Sequence, residues 1–447
     1  MQPRLLSYGI DRVPDEVLSM IFENVVQDQS VPMHLAGVCQ RFRRVALGTS
    51  TLWRRITGHM TEDHAWFRLQ RSGNVGLQVT LCAGACNSCK STVTILSQHY
   101  RWKTLSLDIE YPTSSNNSPE RWLLSPLYLP TLTHLKLDCV SALDGVVDEG
   151  EIEFEESIEN AITSSSRAMT PSHWSMPNLQ HLSIRNFIPE NLPYQSLKSL
   201  SVHLSSSYPL PMKTYNRIHA ILNQTSSLET FSYTVDFSPV YHFEPPSDAE
   251  LGLLTLDQLT RLVVSFTPGA TNPNEFMAVE HAFGFTETIC VPKLEEMKVL
   301  FSSDDSDCLI DFFGFFSSLR WGLYANLRCL EIVLFTSSSI DILRDVFSNM
   351  PQIQEITLSG KIPGIVPQSL VAVQRTCSLR KFILRRVEGL SPADCFSLLQ
   401  LFTKQMGHSF PSFEWFIIRG CPQLSPEVFK YHDLWDSILT DIVEWVL

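Results

Sequence analysis

Hydrophobic and polar positions along the chain fall into two rhythms. Between residues 13 and 53 apolar side chains recur every three or four positions, the spacing of a buried helix face. Val17, Leu18, Ile21, Phe22 and Val25 make one stripe. Pro14 opens it, because its missing N–H and fixed φ suit a first helical turn, and Asp15 and Glu16 follow where the helix dipole favours negative charge. After the polar Gln27-Asp28-Gln29-Ser30 and Pro32, a second stripe of Leu35, Val38, Cys39, Phe42, Val45 and Ala46 predicts a second helix, with Arg41, Arg43 and Arg44 on its other side. Leu52 and Trp53 close the unit. A helical unit of roughly 45 residues has a marginal core, yet these stripes are wide. Part of their apolar surface is therefore expected to be covered by the rest of the chain or by a partner.

From residue 77 the rhythm changes. Leu77-Gln78-Val79-Thr80-Leu81 alternates apolar and polar residues, as a half-buried strand does. An apolar-x-x-apolar-x-apolar phrase then recurs, often after a proline or small polar residue: Trp102/Leu105/Leu107, Leu132/Leu135/Leu137, Leu179/Leu182/Ile184, Leu197/Leu200/Val202, Leu228/Phe231/Tyr233 and Leu259/Leu262/Val264. The later copies are Leu294/Met297/Val299, Leu327/Leu330/Ile332, Ile353/Ile356/Leu358, Leu379/Phe382/Leu384 and Phe413/Phe416/Ile418. Their starts lie 18 to 47 residues apart, mostly 26 to 35, near the period of a leucine-rich repeat. Helix-like segments lie between copies at 215–222, 308–316, 340–347 and 392–402.

A strand-plus-helix unit cannot bury its apolar side alone, and stacking solves this. The expected fold is α/β: a small helical unit, then a repeat solenoid with a curved parallel sheet and helices on its convex side. A conventional α/β domain with a parallel sheet is the alternative. The expected boundaries are 10–57 for the helical unit, 58–76 for a helical linker, 77–424 for the repeats and 425–447 for a capping helix, whose Val428, Leu434, Trp435, Ile438, Ile442, Val443 and Trp445 offer an apolar side. Between Cys139 and Ser166 lie eight acidic residues and no Lys or Arg, a self-solvating insertion or else a docking patch for a basic partner.

Composition narrows the class. The 447 residues are 44% hydrophobic and 18% charged, with net charge −13, ordinary for a soluble globular protein. Residues 1–60 carry seven Arg against five Asp plus Glu, so the acidity resides in the remainder and argues against a nucleic-acid partner. No signal-peptide pattern or membrane-span-length apolar run is seen, which leads us to expect a protein of the cytoplasm or nucleus without a membrane partner. Eleven scattered cysteines fit reduced core thiols better than a disulfide framework.

Catalytic signatures are sparse. There is no Gly-x-Gly-x-x-Gly, P-loop, Gly-x-Ser-x-Gly or His-Glu-x-x-His. His59 and His64 lack a carboxylate that would complete a site. Cys82-x3-Cys86-x2-Cys89 has the spacing that holds an iron–sulfur cluster in radical S-adenosylmethionine enzymes, but Ser88 replaces their usual aromatic and no Gly-rich methionine-binding turn follows. Ordinary thiols are the favoured reading, with such a cluster or a zinc site completed by His99 as alternatives. We expect no cofactor and a non-enzymatic binding role.

The N-terminal residues resemble the F-box. Val13-Pro14, Glu16, Ile21-Phe22, Val38-Cys39-Gln40-Arg41-Phe42-Arg43 and Leu52-Trp53 stand at its intervals, with Val13 for the usual Leu and Phe42 for the usual Trp. The wording is most like that of fungal members. The resemblance covers residues 10 to 57 and implies docking onto a Skp-type adaptor, and through it cullin and RING subunits of a ubiquitin ligase. It makes Val13, Pro14, Val17, Leu18, Ile21, Phe22, Leu35, Val38, Cys39, Phe42, Leu52 and Trp53 the expected adaptor-facing or supporting residues. The repeats resemble the divergent leucine-rich repeats that often follow an F-box. Within each phrase the third and fifth residues and the one after it should face the open wall, because strand side chains alternate. Early in the array these are His134, Lys136, Asp138, His181, Ser183, Arg185 and His203. Late in it they are Lys381, Ile383, Arg385, Trp415, Ile417 and Arg419, whose aromatic, Arg and apolar mixture suits binding of a protein substrate; a cap formed by the C-terminal helix is the other use for them. The function expected is that of a substrate receptor, with a repeat scaffold lacking a ligase role as the alternative.

Overall fold

The computed structural model describes residues 9–10, 12–25, 31–83, 90–110, 125–140, 173–186, 188–189, 192–204, 212–236, 253–267, 288–302, 324–335, 342–362, 364–365, 377–400, 402, 412–424 and 443–446. The chain forms two compact units, residues 1–196 and 197–447.

From Asp15 onward the first unit has, among the described residues, the helices α1 (Asp15–Val25), α2 (Val31–Val38) and α3 (Gln40–Gly48). The expected second helix is thus broken at Cys39, which is extended (φ −159°, ψ 170°) and caps α3 by accepting the Phe42 N–H on Sγ at 3.4 Å. Gly37, a poor helix former, precedes the break. Leu18, Phe22, Ala36, Val45, Ala46, Leu52 and Trp53 form the core. Phe22 meets Phe42 edge-on at 5.0 Å, and the buried Trp53 indole donates to the Ala46 carbonyl at 2.8 Å. Arg41 ties α3 back to α1, donating to the Asp15 carboxylate at 2.8 Å, to the Ile10 carbonyl at 2.8 Å and to the Val13 carbonyl. Arg41 and Arg44 hold the Asp15 carboxyl below its ordinary range.

A 3-10 turn at Ser50–Trp53 leads into β1 (Arg55–Thr57), which pairs in parallel with β2 (Leu77–Ala83). The helix between them, α4 (Glu62–Arg71), is capped by Thr61 and packs Phe67 edge-on against Trp53 at 5.3 Å. The expected linker is therefore a strand–helix–strand crossover, and the sheet begins at residue 55. A short helix, α5 (Lys90–Leu96), follows β2; β3 (Trp102–Glu110), β4 (His134–Val140) and β5 (His181–Arg185) then add in chain order, all parallel.

The second unit repeats the arrangement with β6 (Ser199–Leu204), β7 (Thr230–Asp236), β9 (Arg261–Thr267), β11 (Glu296–Ser302), β12 (Cys329–Phe335), β13 (Glu355–Lys361), β14 (Lys381–Glu388), β15 (Trp415–Arg419) and β16 (Val443–Val446), parallel and in chain order. Two-residue strands β8 (Leu254–Thr255) and β10 (Ile289–Cys290) pair separately. Helices α6 (Met212–Gln224), α7 (Ile342–Asn349) and α8 (Pro392–Gln400) lie where three helical patterns were expected; the fourth, 308–316, and the acidic stretch 141–166 lie outside the described residues. The C-terminal expectation is corrected at Val443–Val446, which is a strand rather than part of a helix; valine's branched Cβ suits it to that backbone. The rest of 425–447 lies outside the described residues. This is the α/β leucine-rich-repeat type of architecture, a small helical region followed by parallel strands with helices.

Each phrase builds one rung. Its fourth and sixth residues fill the interior: Leu262, Met297, Leu330, Ile356, Phe382 and Phe416 occupy one lateral row, all buried. The backbone N–H of its second residue donates to the repeat before, as Arg328 does to Glu295, Gln354 to Arg328 and Arg380 to Gln354, at 2.8–3.0 Å. The residue before the phrase often does the same with its side chain. Asn178 reaches the Pro130 carbonyl, Ser196 that of Leu179, and Ser227 that of Leu197.

All eight described cysteines are free thiols. Burial raises the Cys395 thiol well above its ordinary value and pushes that of Cys377 up to about 11. Among the described residues, no helix is long and apolar enough to cross a membrane.

Candidate functional site

Two surfaces stand out, one on the N-terminal helices and one on the open face of the strands.

On α1 the apolar residues point two ways. Leu18 and Phe22 lie four apart and face the core, whereas Val17, Met20, Ile21 and Val25 are exposed, Met20 by 61% and Val25 by 56%. α2 adds exposed Met33 and Val38. The helix is thus apolar on both sides, and one side is left exposed among the described residues. Of the residues expected to face an adaptor or to support that surface, Pro14, Val17, Ile21, Val38 and Cys39 are exposed. Leu18, Phe22, Leu52 and Trp53 are buried at 0–4% exposure, and Val13, Leu35 and Phe42 pack partly against the same core. That group therefore supports the surface from beneath, the second of the two roles expected for these residues. Met20, Val25 and Met33 were missed, although the period of α1 already placed Met20 beside Val17 and Ile21.

The open face differs between units. In the first, His134 and His181 are register partners and stack at 4.1 Å. Partial burial, His181 and Lys103 hold His134 below its ordinary range. The Asp138 carboxylate lies 3.2 Å from Lys136 and 3.9 Å from Arg185. Cys82 Sγ is 3.0 Å from His59 Nε2 and 3.9 Å from an Asp108 carboxylate oxygen; burial, the largest influence, raises the Asp108 carboxyl. Cys86 and Cys89 lie outside the described residues. His99 has its Nδ1 2.9 Å from the Leu96 carbonyl. Among the described residues, no group of three or more His, Cys, Asp or Glu side chains could hold a metal ion.

In the second unit opposite charges alternate across the strands. Arg261 pairs with Glu296 at 3.6 Å, and Glu331 receives Lys298 at 3.0 Å and Arg385 at 3.5 Å. These residues line one shallow concavity together with Glu355 and Thr357. Farther along, Lys381, Ile383 and Arg385 on β14 stand beside Trp415, Ile417 and Arg419 on β15, partner for partner. Trp415 is 41% exposed, while Ile383 and Ile417 are only 4% and 5% exposed. The two isoleucines are therefore corrected as direct anchors. Each lies between two longer residues of its own strand on that face, Lys381 and Arg385 or Trp415 and Arg419, and a short side chain so flanked loses its exposure.

Residues 10–59 match the F-box-like family model. That is an F-box-like domain. The match covers the three helices, the turn carrying Trp53 and β1, so its end falls inside the first strand pair. No curated protein matches the chain. Among solved structures, the TLR13–ssRNA13 complex aligns with 82% of this chain and 48% of its own at 16% identity and a TM-score of 0.32. A protein from Bacteroides fragilis aligns with 58% of this chain and 66% of its own at 12% identity and a TM-score of 0.23. The chain thus spans about half the length of the first and about two thirds of the second.

Proposed function

We propose that this protein is the substrate-receptor subunit of a Skp–cullin–F-box ubiquitin ligase, acting in the cytoplasm or nucleus. The F-box-like domain binds a Skp-type adaptor, and through it the cullin and RING subunits, while the open strand faces hold a protein substrate. The wording of the motif looks most like that of fungal members. The chain carries out no chemistry itself; it supplies proximity, converting an encounter between substrate and ligase into a tethered one. The observation that carries this reading is the second apolar side of α1, Val17, Met20, Ile21 and Val25, exposed on a domain that already has a complete core.

Co-purification tests it. Wild-type protein is expected to retain a Skp-type adaptor through size-exclusion chromatography. Met20→Asp with Ile21→Asp is expected to lose it with an unchanged far-UV spectrum and melting temperature, since both side chains are exposed. Absence of a wild-type complex would overturn the reading. Phe22→Ala or Trp53→Ala would be a poorer probe: each empties a core site at a cost of about 3–5 kcal/mol, so loss of binding would report unfolding.

A second reading, a repeat scaffold whose helices only cap the array, is favoured by the pairing of β1 with β2 and the packing of Trp53 on Phe67. It gives the exposed side of α1 no role and predicts that the double substitution changes no interaction.

A further inference from the structure

Several charges on the second unit's open face are matched within the protein, and Arg419 is one that, among the described residues, is not. Its Nε is buried without a hydrogen-bond partner, and its guanidinium makes no ion pair among the described residues. Arg419 as a whole is only partly buried, but a shielded N–H left without an acceptor is costly and favours an approaching anion.

The strands explain why the protein does not supply one. Arg419's register partner on β14 is Arg385, a like charge, and on β16 it is Val446. The carboxylate within reach of Arg385, Glu331, is already shared between Lys298 and Arg385. Arg386, exposed at a positive φ of 50°, adds a third guanidinium at this end of β14 and β15. Glu444 on β16 is the register partner of Ile417 and forms no ion pair with Arg419 among the described residues.

Four residues earlier on the same strand and face stands Trp415, 41% exposed. At about 3.3 Å per residue the two lie about 13 Å apart along the strand. Between them Ile417 is too buried to add a contact. The face thus offers an aromatic plate and, at a fixed separation, a guanidinium with no ion pair among the described residues, the residue types that dominate interface energetics.

We infer that Trp415 and Arg419 form a two-point dock for an extended segment of the protein substrate that carries a large apolar side chain and a carboxylate four residues apart. Alternate side chains of an extended segment share a face, so residues i and i+4 span the same distance as the two anchors. A carboxylate fits better than a phosphate. A guanidinium takes a carboxylate as a forked pair of hydrogen bonds, and Glu331, already shared by Lys298 and Arg385, disfavours a second negative charge nearby. This inference rests on the proposed substrate-receptor reading, whose own test is the adaptor complex.

The probe is a phage-displayed random nonapeptide library selected on the intact protein bound to its adaptor. Enriched peptides are expected to pair a large apolar residue with Asp or Glu at a spacing of four, in either order. A synthetic copy followed by fluorescence anisotropy should bind at least tenfold more weakly to Arg419→Gln and to Trp415→Ala, and Arg419→Lys should recover part of the loss. Replacing the peptide carboxylate by its amide should weaken binding to wild type but hardly to Arg419→Gln. Unchanged circular dichroism will establish that the variants are folded. The inference is overturned by no enrichment, by peptides without an acidic residue, by equal affinity for the variants, or by a preference for a phosphorylated peptide over its carboxylate form. Any of these in a protein that still holds its adaptor refutes the dock and leaves the receptor reading standing.

Discussion

At the scale of single residues, Gly360 shows how closely neighbouring rungs approach. Its φ is +100°, and a Cβ added there would stand 2.0 Å from the Leu334 carbonyl oxygen on β12. On β14, across from Gly360, the register slips and Arg386 takes a positive φ, forming a bulge. Gly360→Ala therefore combines backbone strain with a backbone clash, and a loss of about 3 kcal/mol or more is expected, read as a lower urea midpoint with unchanged slope. A midpoint within error of wild type would show that the strand can shift to admit the methyl. The Asp15 ties to Arg41 and Arg44 have a defined acid limit. Because they lower the folded carboxyl, their contribution is complete above the unfolded value of about 3.9 and is lost as pH falls through the lower folded value.

At the scale of elements, the wall was the most legible part of the sequence. The first apolar residue of each phrase from Leu132 to Phe413 stands two positions before an observed strand, because the pattern records which side chains the stacked interior requires. Three elements were hidden for physical reasons. β1 has only three residues, too few to show alternation. The break at Cys39 lies inside an unbroken apolar stripe, since Val38, Cys39 and Phe42 keep helical spacing across a residue that turns extended. Val443–Val446 looks helical because Ile438, Ile442 and Trp445 share a helical period with it, and pairing with β15 overrode that local signal. The site divided along the same line. Periodicity could place Trp415 and Arg419 on the open face, but the burial of Ile383 and Ile417 depends on flanking side chains. Likewise, which side of α1 meets the core was decided by α2, α3 and Trp53, so the sequence could not separate Leu18 from Val17. The strand pairing also revises what truncation would do. Removing residues 1–60 strips β1 from β2 and Trp53 from Phe67, so the remainder is expected to aggregate or to lose protease resistance around 62–83 whatever the F-box binds. Limited proteolysis checks this; a monomeric remainder with wild-type resistance would contradict it.

At the scale of the whole molecule, stability is a sum of nearest-neighbour rungs. In such an array a local defect is felt mainly by adjacent repeats. Hydrogen exchange of the Gly360→Ala protein is accordingly expected to rise in 329–335 and 381–388 and to match wild type in 77–83 and 102–110. A uniform rise across both regions would mean that the chain unfolds as one cooperative block. The same architecture accounts for the distribution of function proposed for this chain. The F-box-like domain occupies a short N-terminal stretch with its own core, and the repeats present side chains whose packing partners lie on the opposite face. Surface residues such as Trp415 can thus change without disturbing Phe416 or Ile418 beneath.

The backward reach of each rung also bears on how the chain is made. Within each unit, every long strand after the first pairs with the long strand synthesised just before it, and the second residue of a phrase finds its acceptor on a repeat already translated. Among the described strands no pairing waits for the far end of the chain, and the loops to be closed stay near the length of one repeat, so the entropic cost of each step is small. The wall can consequently assemble behind the ribosome one repeat at a time, with the F-box-like helices finished before it. A nascent chain would then present its F-box-like helices, already folded, before the later repeats have been translated.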